Sequence, residues 1–356
     1  MVSRAEIIRS FDPSGVGLEN GNFCGLPFDY DTAGILLLGV PWEVTVSYHA
    51  GTAAGPEAVR RASPQLDLYD LDHPDGWQQG IYMPPCPDWI RALNNELRPI
   101  AAQVIAATEK GLDLSADRPL SALLQQVNAG GDRVNDWLYQ TARQAIAADK
   151  RVGAIGGDHS IPLGLVRALA EQHGEFGVLH IDAHADLRQA YQGFPYSHAS
   201  IMHQVMALPQ VSRLVQVGIR DISHGEVAMI QQSGGRIQIH YDPHLKAQRY
   251  AGTPWLDLCR QMIEPLPAQV YISFDVDGLD PKLCPSTGTP VPGGLELEEA
   301  FCLIRAVVQS DRQIIGFDVS EVGSGEWDGN VGARIVYKLC NLMGRSRDAA
   351  SPSLRP

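Results

Sequence analysis

One stretch of this chain decides its fold class: Phe176-Gly177-Val178-Leu179-His180-Ile181, followed at once by Asp182-Ala183-His184-Ala185-Asp186. A short apolar run of this kind is typical of a strand buried on both faces of a parallel sheet. Two more runs end in the same way. Val152–Ile155 leads into Gly156-Gly157-Asp158-His159-Ser160, and Val270–Phe274 leads into Asp275-Val276-Asp277. Strands alternate with helical patterns along most of the chain, which predicts a parallel sheet covered by helices on both faces.

The three strand ends together carry five carboxylates and two histidines. Ligands of such sheets lie at the carboxyl ends of strands, so we expect these side chains to meet there. Without a counter-charge the carboxylates would repel one another and raise one another's pKa values. Each cluster alone could be a set of strand-end caps, but three in this order favour metal.

Two divalent ions would balance the four carboxylates of Asp182, Asp186, Asp275 and Asp277. Alternate residues of an extended strand point the same way, so the aspartates of each cluster can converge. His159 and His184 would bind as neutral imidazoles. Carboxylates with some imidazole suit manganese, and added imidazole also suits nickel. The sequence therefore predicts a centre of two divalent metal ions.

Composition narrows the functional classes. A chain of 356 residues can form one large α/β domain or two smaller ones. The net charge of −13 argues against nucleic acid and fits a small cationic substrate. The six cysteines form no paired motif, the N-terminus lacks the apolar core of a signal peptide, and no apolar run reaches membrane-spanning length. We expect a cytoplasmic protein with no membrane partner.

In their order, the three clusters resemble the motifs of the ureohydrolases, the family of arginase, agmatinase and guanidinobutyrase. Further segments share the resemblance: Gly39-Val40-Pro41, Gly51–Pro56, Thr287–Pro290 and Asp318–Val322. It implies a single-domain, three-layer α/β/α fold with a mostly parallel sheet. The catalytic domain would span residues 34–345, after an N-terminal extension of residues 1–33 and before a flexible tail of residues 346–356. It also implies a metal-dependent amidine hydrolase that cleaves a guanidino C–N bond with water to release urea.

The same resemblance assigns roles to individual residues. One ion would be held by His159, Asp182, Asp186 and Asp275, and the other by His184, Asp182, Asp275 and Asp277. Glu321 would pair with the substrate guanidinium, and His198 would act on the substrate and shuttle a proton to the leaving nitrogen. Asp186 is predicted to be both a catalytic residue and a metal ligand. The family has glycine after the mobile histidine, whereas this chain has Ala199.

The loop of residues 187–196 is aromatic and lacks the polar groups with which arginases hold arginine. Four aromatic residues are predicted to surround a compact cation through their π faces: Tyr191, Phe194, Tyr196 and Trp327. The alternative is that these aromatic residues only pack within a long loop. His180 is interpreted as a residue of a core strand.

Several segments resemble a narrower branch, the nickel-dependent guanidine hydrolases: Pro41–Tyr48, Asp67–Asp70 and Glu326–Arg334. This resemblance implies hydrolysis of guanidine, or a small substituted guanidine, to urea plus ammonia or an amine. Nickel is then favoured, with manganese as the alternative. Related enzymes act on metformin and biguanides, so the alternatives are a metformin or biguanide hydrolase subunit, an agmatinase, or a non-catalytic partner subunit.

Closed homo-oligomers, trimers or hexamers, are implied by the family, and a hetero-oligomer with a related subunit by the narrower branch. His49 stands where the wider family has arginine, and no role is assigned to it. The segment of residues 67–119 looks irregular, and is interpreted as a lid or a subunit-contact excursion.

Overall fold

Eight strands, all parallel, form one sheet in the computed structural model, which describes residues 2–350, the side chains of residues 347–350 excepted. The strands are β1 (Ile35–Val40), β2 (Ile81–Tyr82), β3 (Arg151–Gly156), β4 (Phe176–Ile181), β5 (Val211–Ile219), β6 (Ile237–Tyr241), β7 (Gln269–Asp275) and β8 (Gln313–Ser320). Their order across the sheet is β2-β1-β3-β8-β7-β4-β5-β6. The three strands that end in acidic clusters, β3, β7 and β4, therefore lie close together, with only β8 inserted between β3 and β7.

Helices cover both faces of the sheet. They are α1 (Arg4–Ser10), α2 (Gly55–Ala62), α3 (Asp88–Glu109), α4 (Arg118–Ala147), α5 (Leu163–Gln172), α6 (Ile201–Met206), α7 (His224–Gln232), α8 (Asp242–Tyr250), α9 (Trp255–Ile263), α10 (Leu297–Gln309) and α11 (Glu326–Ala350). Along β1, Ile35 and Leu37 belong to one apolar core, and Leu36 and Leu38 belong to the other. Alternate side chains of a strand point to opposite faces, so two cores require two helical layers. The predicted three-layer α/β/α fold is confirmed.

The expectation of an irregular segment over residues 67–119 is wrong for much of its length. Residues 88–109 form α3, a helix of 22 residues that packs against α4 in the outer layer. Pro99 lies inside this helix and interrupts the pattern by which sequence reasoning recognises helices. The preceding loop is also tied down, because Lys338 of α11 contacts Asp70 at 2.5 Å and Asp72 at 2.9 Å. The segment is part of the folded body.

The N-terminal extension packs on the first two strands. Asn22 donates to the carbonyl of Ile81 and accepts from the N–H of Met83, at 3.0 and 2.9 Å. At the other end, α11 continues through Ala350, and Ser346 donates to the carbonyl of Met343 within it. The rest of the predicted tail, residues 351–356, lies outside the described residues. Among the described helices, none is both long and apolar enough to span a bilayer.

Gly278 allows the loop after β7 to press against the end of β4. A methyl group built on Gly278 would lie 2.6 Å from the backbone nitrogen of Asp182 and 2.9 Å from its Cα. Both neighbours are backbone atoms, so neither can rotate away.

We therefore expect Gly278→Ala to lower the free energy of unfolding by about 1–3 kcal/mol, the usual cost of overpacking. Metal affinity should fall too, because Asp182 would move. Chemical denaturation and metal titration measure the two effects. The matched control is Gly174→Ala, where an added methyl meets no atom within 4 Å. Equal stability of the two variants would show that the backbone of Asp182 does not constrain residue 278.

Candidate metal centre

Four neighbouring strands deliver the acidic side chains to one edge of the sheet. Asp182 follows the last residue of β4, and β7 ends at Asp275. His159 lies in the loop after β3, and Glu321 follows β8. Because all four strands run parallel, their carboxyl ends share one edge, and the predicted meeting of the clusters is what the structure shows.

The first group of donors is centred on His159. Its Nδ1 lies 3.0 Å from Asp182 Oδ2, 3.1 Å from Asp186 Oδ2 and 3.2 Å from Asp275 Oδ2. None of the four side chains is more than 4% exposed. One imidazole nitrogen and three carboxylate oxygens converge in this buried space, and they belong to the four residues predicted to hold one ion.

The second group is centred on His184. Its Nδ1 lies 3.1 Å from Asp277 Oδ2 and 3.5 Å from Asp182 Oδ1. Asp182 thus presents one oxygen to each group, as a bridging ligand must. Asp275 presents Oδ2 to the first group, whereas its Oδ1 accepts the backbone N–H of Asp277 at 2.8 Å. The bridging role of Asp275 stays a prediction.

Burial and close approach shift the pKa values of several side chains in the two donor groups. Burial, together with the charge of Asp182, raises the pKa of Asp186 to about 8. Burial and the charge of Asp277 hold the pKa of Asp275 well above its usual value. Burial alone would lower the pKa of His159, but hydrogen bonds to the surrounding carboxylates raise it well above normal. The cluster holds protons where a cation would be the better partner, so the donor set fits divalent metal.

Sequence reasoning missed two buried residues that orient Asp182. Gln216 donates through Nε2 to the carbonyl of Ala185 at 2.7 Å, which fixes the orientation of its amide. The same Nε2 lies 2.9 Å from His180 Nδ1, so that nitrogen must accept. His180 Nε2 then carries the proton and donates to Asp182 Oδ2 at 2.8 Å. Since both nitrogens of His180 are engaged, it is an orienting group for a ligand. The sequence did contain a signal for this pair, because His180 and Gln216 are polar residues within mostly apolar strands.

Another group of buried polar residues contacts Nε2 of His159, the ring nitrogen that does not face the three aspartates. Its Nε2 lies 2.8 Å from Ser273 Oγ and 3.5 Å from Asp318 Oδ2. Asp318 is held in turn by Tyr271, whose hydroxyl donates to Oδ1 at 2.8 Å, and by the Ser320 hydroxyl at 3.0 Å. These contacts come from β7 and β8, and they fix the plane of the imidazole.

Two residues of the site have strained backbones. Asp186 and Glu321 have φ angles of 54° and 63°, in the left-handed region that non-glycine residues rarely adopt. Glu321 Oε1 accepts the backbone N–H of His159 at 3.0 Å, while its buried Oε2 has no partner among the described atoms. A methyl group on Gly288 would lie 2.6 Å from that oxygen. The free oxygen therefore faces a space that exists because residue 288 is glycine.

A cavity of about 170 Å³ opens beside the donors. Its walls include His184, Asp186, Tyr191, His198 and Thr289. Tyr191 meets the imidazole of His198 edge-on at 5.9 Å between ring centres, and Ser47 Oγ lies 3.4 Å from His198 Nε2. Burial, helped by the nearby His184, lowers the pKa of His198 to about 3. The imidazole is therefore neutral at neutral pH.

The structure corrects three members of the predicted aromatic pocket. Phe194 is 1% exposed and packs in the apolar core, because the loop turns its ring inward after Tyr191. Trp327 is 55% exposed, and its indole N–H donates to the carbonyl of Lys282 at 3.3 Å. Neither residue lines the cavity, and neither does Tyr196, so of the four predicted rings only Tyr191 does.

Metal binding to the metal-free protein should release protons at pH 7, because the ligands must lose them to bind. With the pKa of Asp186 at about 8, lowering the pH from 9 to 6 should weaken the affinity for manganese. Calorimetric titration in buffers of different ionisation enthalpy measures the release, and Asp186→Asn should release fewer protons. Heats that do not depend on the buffer would contradict these protonation states.

Comparison with known proteins agrees with this geometry. Residues 33–340 match the arginase family. The N(1)-aminopropylagmatine ureohydrolase of Thermus thermophilus is 32% identical over 318 residues, which cover 88% of this chain and 92% of that protein. An agmatinase of Neisseria meningitidis is 27% identical, covering 92% of this chain and 94% of its own. The solved structure of proclavaminate amidino hydrolase from Streptomyces clavuligerus gives a TM-score of 0.68 at 25% identity, covering 94% of this chain and 100% of that one.

The predicted enzyme class, a metal-dependent hydrolase of amidine C–N bonds, is confirmed by these relatives. The match covers the strand ends that carry the donors. This chain therefore belongs to the arginase family.

Proposed function

We propose that this chain hydrolyses guanidine, or a small substituted guanidine, to urea and ammonia or an amine. The observation that carries the proposal is the size of the cavity beside the donors, about 170 Å³. Clefts for drug-sized ligands usually measure about 300–1,000 Å³, so this one suits a compact molecule. A planar cation also suits its walls, which combine the acids Asp186 and Asp221 with the ring of Tyr191.

The six predicted ligands, His159, Asp182, His184, Asp186, Asp275 and Asp277, would hold two divalent ions. When bound, such ions lower the pKa of water and so supply the nucleophile near neutral pH. Nickel is the proposed metal and manganese the alternative, since carboxylate and imidazole donors accept both.

Glu321 is proposed to orient the substrate. Its Oε2 is buried, has no hydrogen-bond partner within the described part of the chain and faces the space beside Gly288. A carboxylate accepts N–H bonds of a guanidinium with charge assistance, and this fixes the carbon that water attacks. Oε1 remains bound to the backbone of His159, so the carboxylate is held in place before the substrate arrives.

His198 is proposed to move the proton that the leaving nitrogen needs. A departing amine must be protonated, and a neutral imidazole can pass a proton from one partner to another. The ring lies in the cavity wall between Ser47 and Tyr191, with its Nδ1 buried and unpartnered. With its pKa lowered to about 3, the imidazole is neutral at pH 7, with one nitrogen that donates and one that accepts, which suits the proposed transfer of a proton between two partners.

The second candidate is a longer guanidino amine, because two relatives are called an aminopropylagmatine ureohydrolase and an agmatinase. The cavity is small for the whole of such a molecule, whose tail would have to extend along Tyr191 and Arg188 toward solvent, so we place this candidate second. A metformin or biguanide hydrolase subunit remains the third candidate. A non-catalytic partner subunit is disfavoured because all six predicted ligands are present and lie in two adjoining groups of donors. The trimeric, hexameric or mixed oligomer and the cytoplasmic location stay predictions.

The proposal is tested by urea release from nickel-loaded and manganese-loaded protein. Guanidine, dimethylguanidine, metformin, agmatine and arginine are compared at equal concentration. We expect guanidine or dimethylguanidine to give the highest kcat/KM, because they fit a cavity of this volume. A preference for agmatine would replace the proposal by the second candidate, and no urea from any compound would overturn it.

Glu321→Gln tests the orienting role. Glutamine can still accept the His159 N–H, so the fold and the metal content should be kept. Loss of the carboxylate charge should lower kcat/KM about 100-fold or more, the usual effect of removing one partner of a buried charged pair. Elemental analysis checks the metals, and Glu326→Gln is a nearby control at the start of α11. Unchanged kinetics would remove Glu321 from the site.

A further inference from the structure

We propose that Arg188 selects substrates by the charge of their tail: it opposes a second positive charge and favours a negative one. This inference rests on the proposed hydrolysis of a guanidino group and adds the class of substituent that the site accepts. Arg188 belongs to the wall of the cavity that holds His184, Asp186 and His198. It is the basic side chain of that wall whose charge does not depend on pH.

The position of Arg188 is determined at both ends of the residue. Its backbone N–H donates to the carbonyl of Ala199 at 3.2 Å, which joins it to the residue after His198. Its guanidinium carbon lies 5.0 Å from the ring centre of Tyr191, the aromatic residue of the cavity wall. Arg188 is thus held where a substituent on the substrate would pass.

The nearest acid does not cancel this charge. Arg188 Nε lies 3.9 Å from Glu226 Oε2, at the limit of an ion pair. Glu226 already accepts three hydrogen bonds, from the backbone of Leu187 at 3.0 Å and from the backbone and hydroxyl of Ser223 at 2.9 and 2.6 Å. The Arg188 side chain is 40% exposed, so its pairing with Glu226 is weak and its charge remains available to a ligand.

The consequence follows from where the two ends of a substrate must lie. The guanidino carbon has to reach the donors around Asp186 and His184, so a tail must extend along Tyr191 toward Arg188. The cavity acids Asp186, Asp221 and Glu226 act on the guanidinium of every substrate alike, and their effect on the tail is the same with or without the Arg188 charge, so the comparison with Arg188→Met separates the two contributions. A charge at the tail end therefore reports on Arg188. Partly solvated unit charges a few ångströms apart change affinity by about tenfold.

Three guanidines of equal length and different tail charge test this inference: butylguanidine, agmatine and 4-guanidinobutyrate. Dissociation constants are measured by calorimetry on metal-loaded protein, and kcat/KM by urea release. For the unaltered chain we expect 4-guanidinobutyrate to bind about tenfold tighter than butylguanidine, and agmatine about tenfold weaker. The differences should shrink in high salt.

Arg188→Met keeps the length of the side chain without its charge and should abolish this order, whereas Arg188→Lys should keep its direction. The matched control is Arg133→Met, because Arg133 also stacks on a ring, that of Trp89 at 4.7 Å, but does not line the cavity. It should change none of the constants.

Every outcome decides the question. An order that is absent from the unaltered chain, or that persists in Arg188→Met, overturns the role of Arg188. Failure of all three compounds to bind also overturns it, because the tail would then not enter. If guanidine and all substituted guanidines bind without releasing urea, the proposed function fails, while the order of the dissociation constants still tests Arg188.

Discussion

The properties of the site follow from the repulsion between the carboxylates that the parallel strands bring together. Asp182, Asp186, Asp275 and Asp277 lie within a few side-chain lengths, all of them buried. Burial and the charges of neighbouring aspartates raise the pKa values of Asp186 and Asp275, so without a cation these two side chains keep protons that aspartates normally lose. Divalent ions remove this cost. The same electrostatic instability thus makes the site bind metal.

Asp182 is the point where the parts of the site meet. It offers one oxygen to each donor group, and the pair of His180 and Gln216 fixes its orientation. Gly278 presses against its backbone from β7. Asp186 and Glu321 keep left-handed backbone conformations because the contacts of the surrounding strand ends hold these residues in place. Strain, tight crossings and buried polar contacts are therefore concentrated at one edge of the sheet.

The donors of the predicted metal centre and the wall of the cavity come from different elements of the fold. The metal donors lie at the ends of strands, which members of the arginase family share. The cavity wall comes from the loops around residues 47, 188–199 and 289, whose lengths and side chains can change without moving the strands. The longer substrates named for two relatives are compatible with the same donors and a different wall. Arg188 and Tyr191 belong to this variable part.

The sequence by itself determined the fold class and the meeting of the three clusters, because apolar strands and their polar ends are local patterns. It did not predict α3, since Pro99 interrupts the helical pattern. Aromatic residues of the loop 187–196, together with Trp327, predicted an aromatic pocket, but the loop buries Phe194, and Trp327 lies outside the cavity at the start of α11. Only the tertiary structure decided which loop side chains face inward. It also decided that His180 contacts Gln216 and that Arg188 packs on Tyr191. The contact of His180 with Gln216 joins residues from two different strands, and the contact of Arg188 with Tyr191 depends on the path of the loop, so no local pattern records either of them.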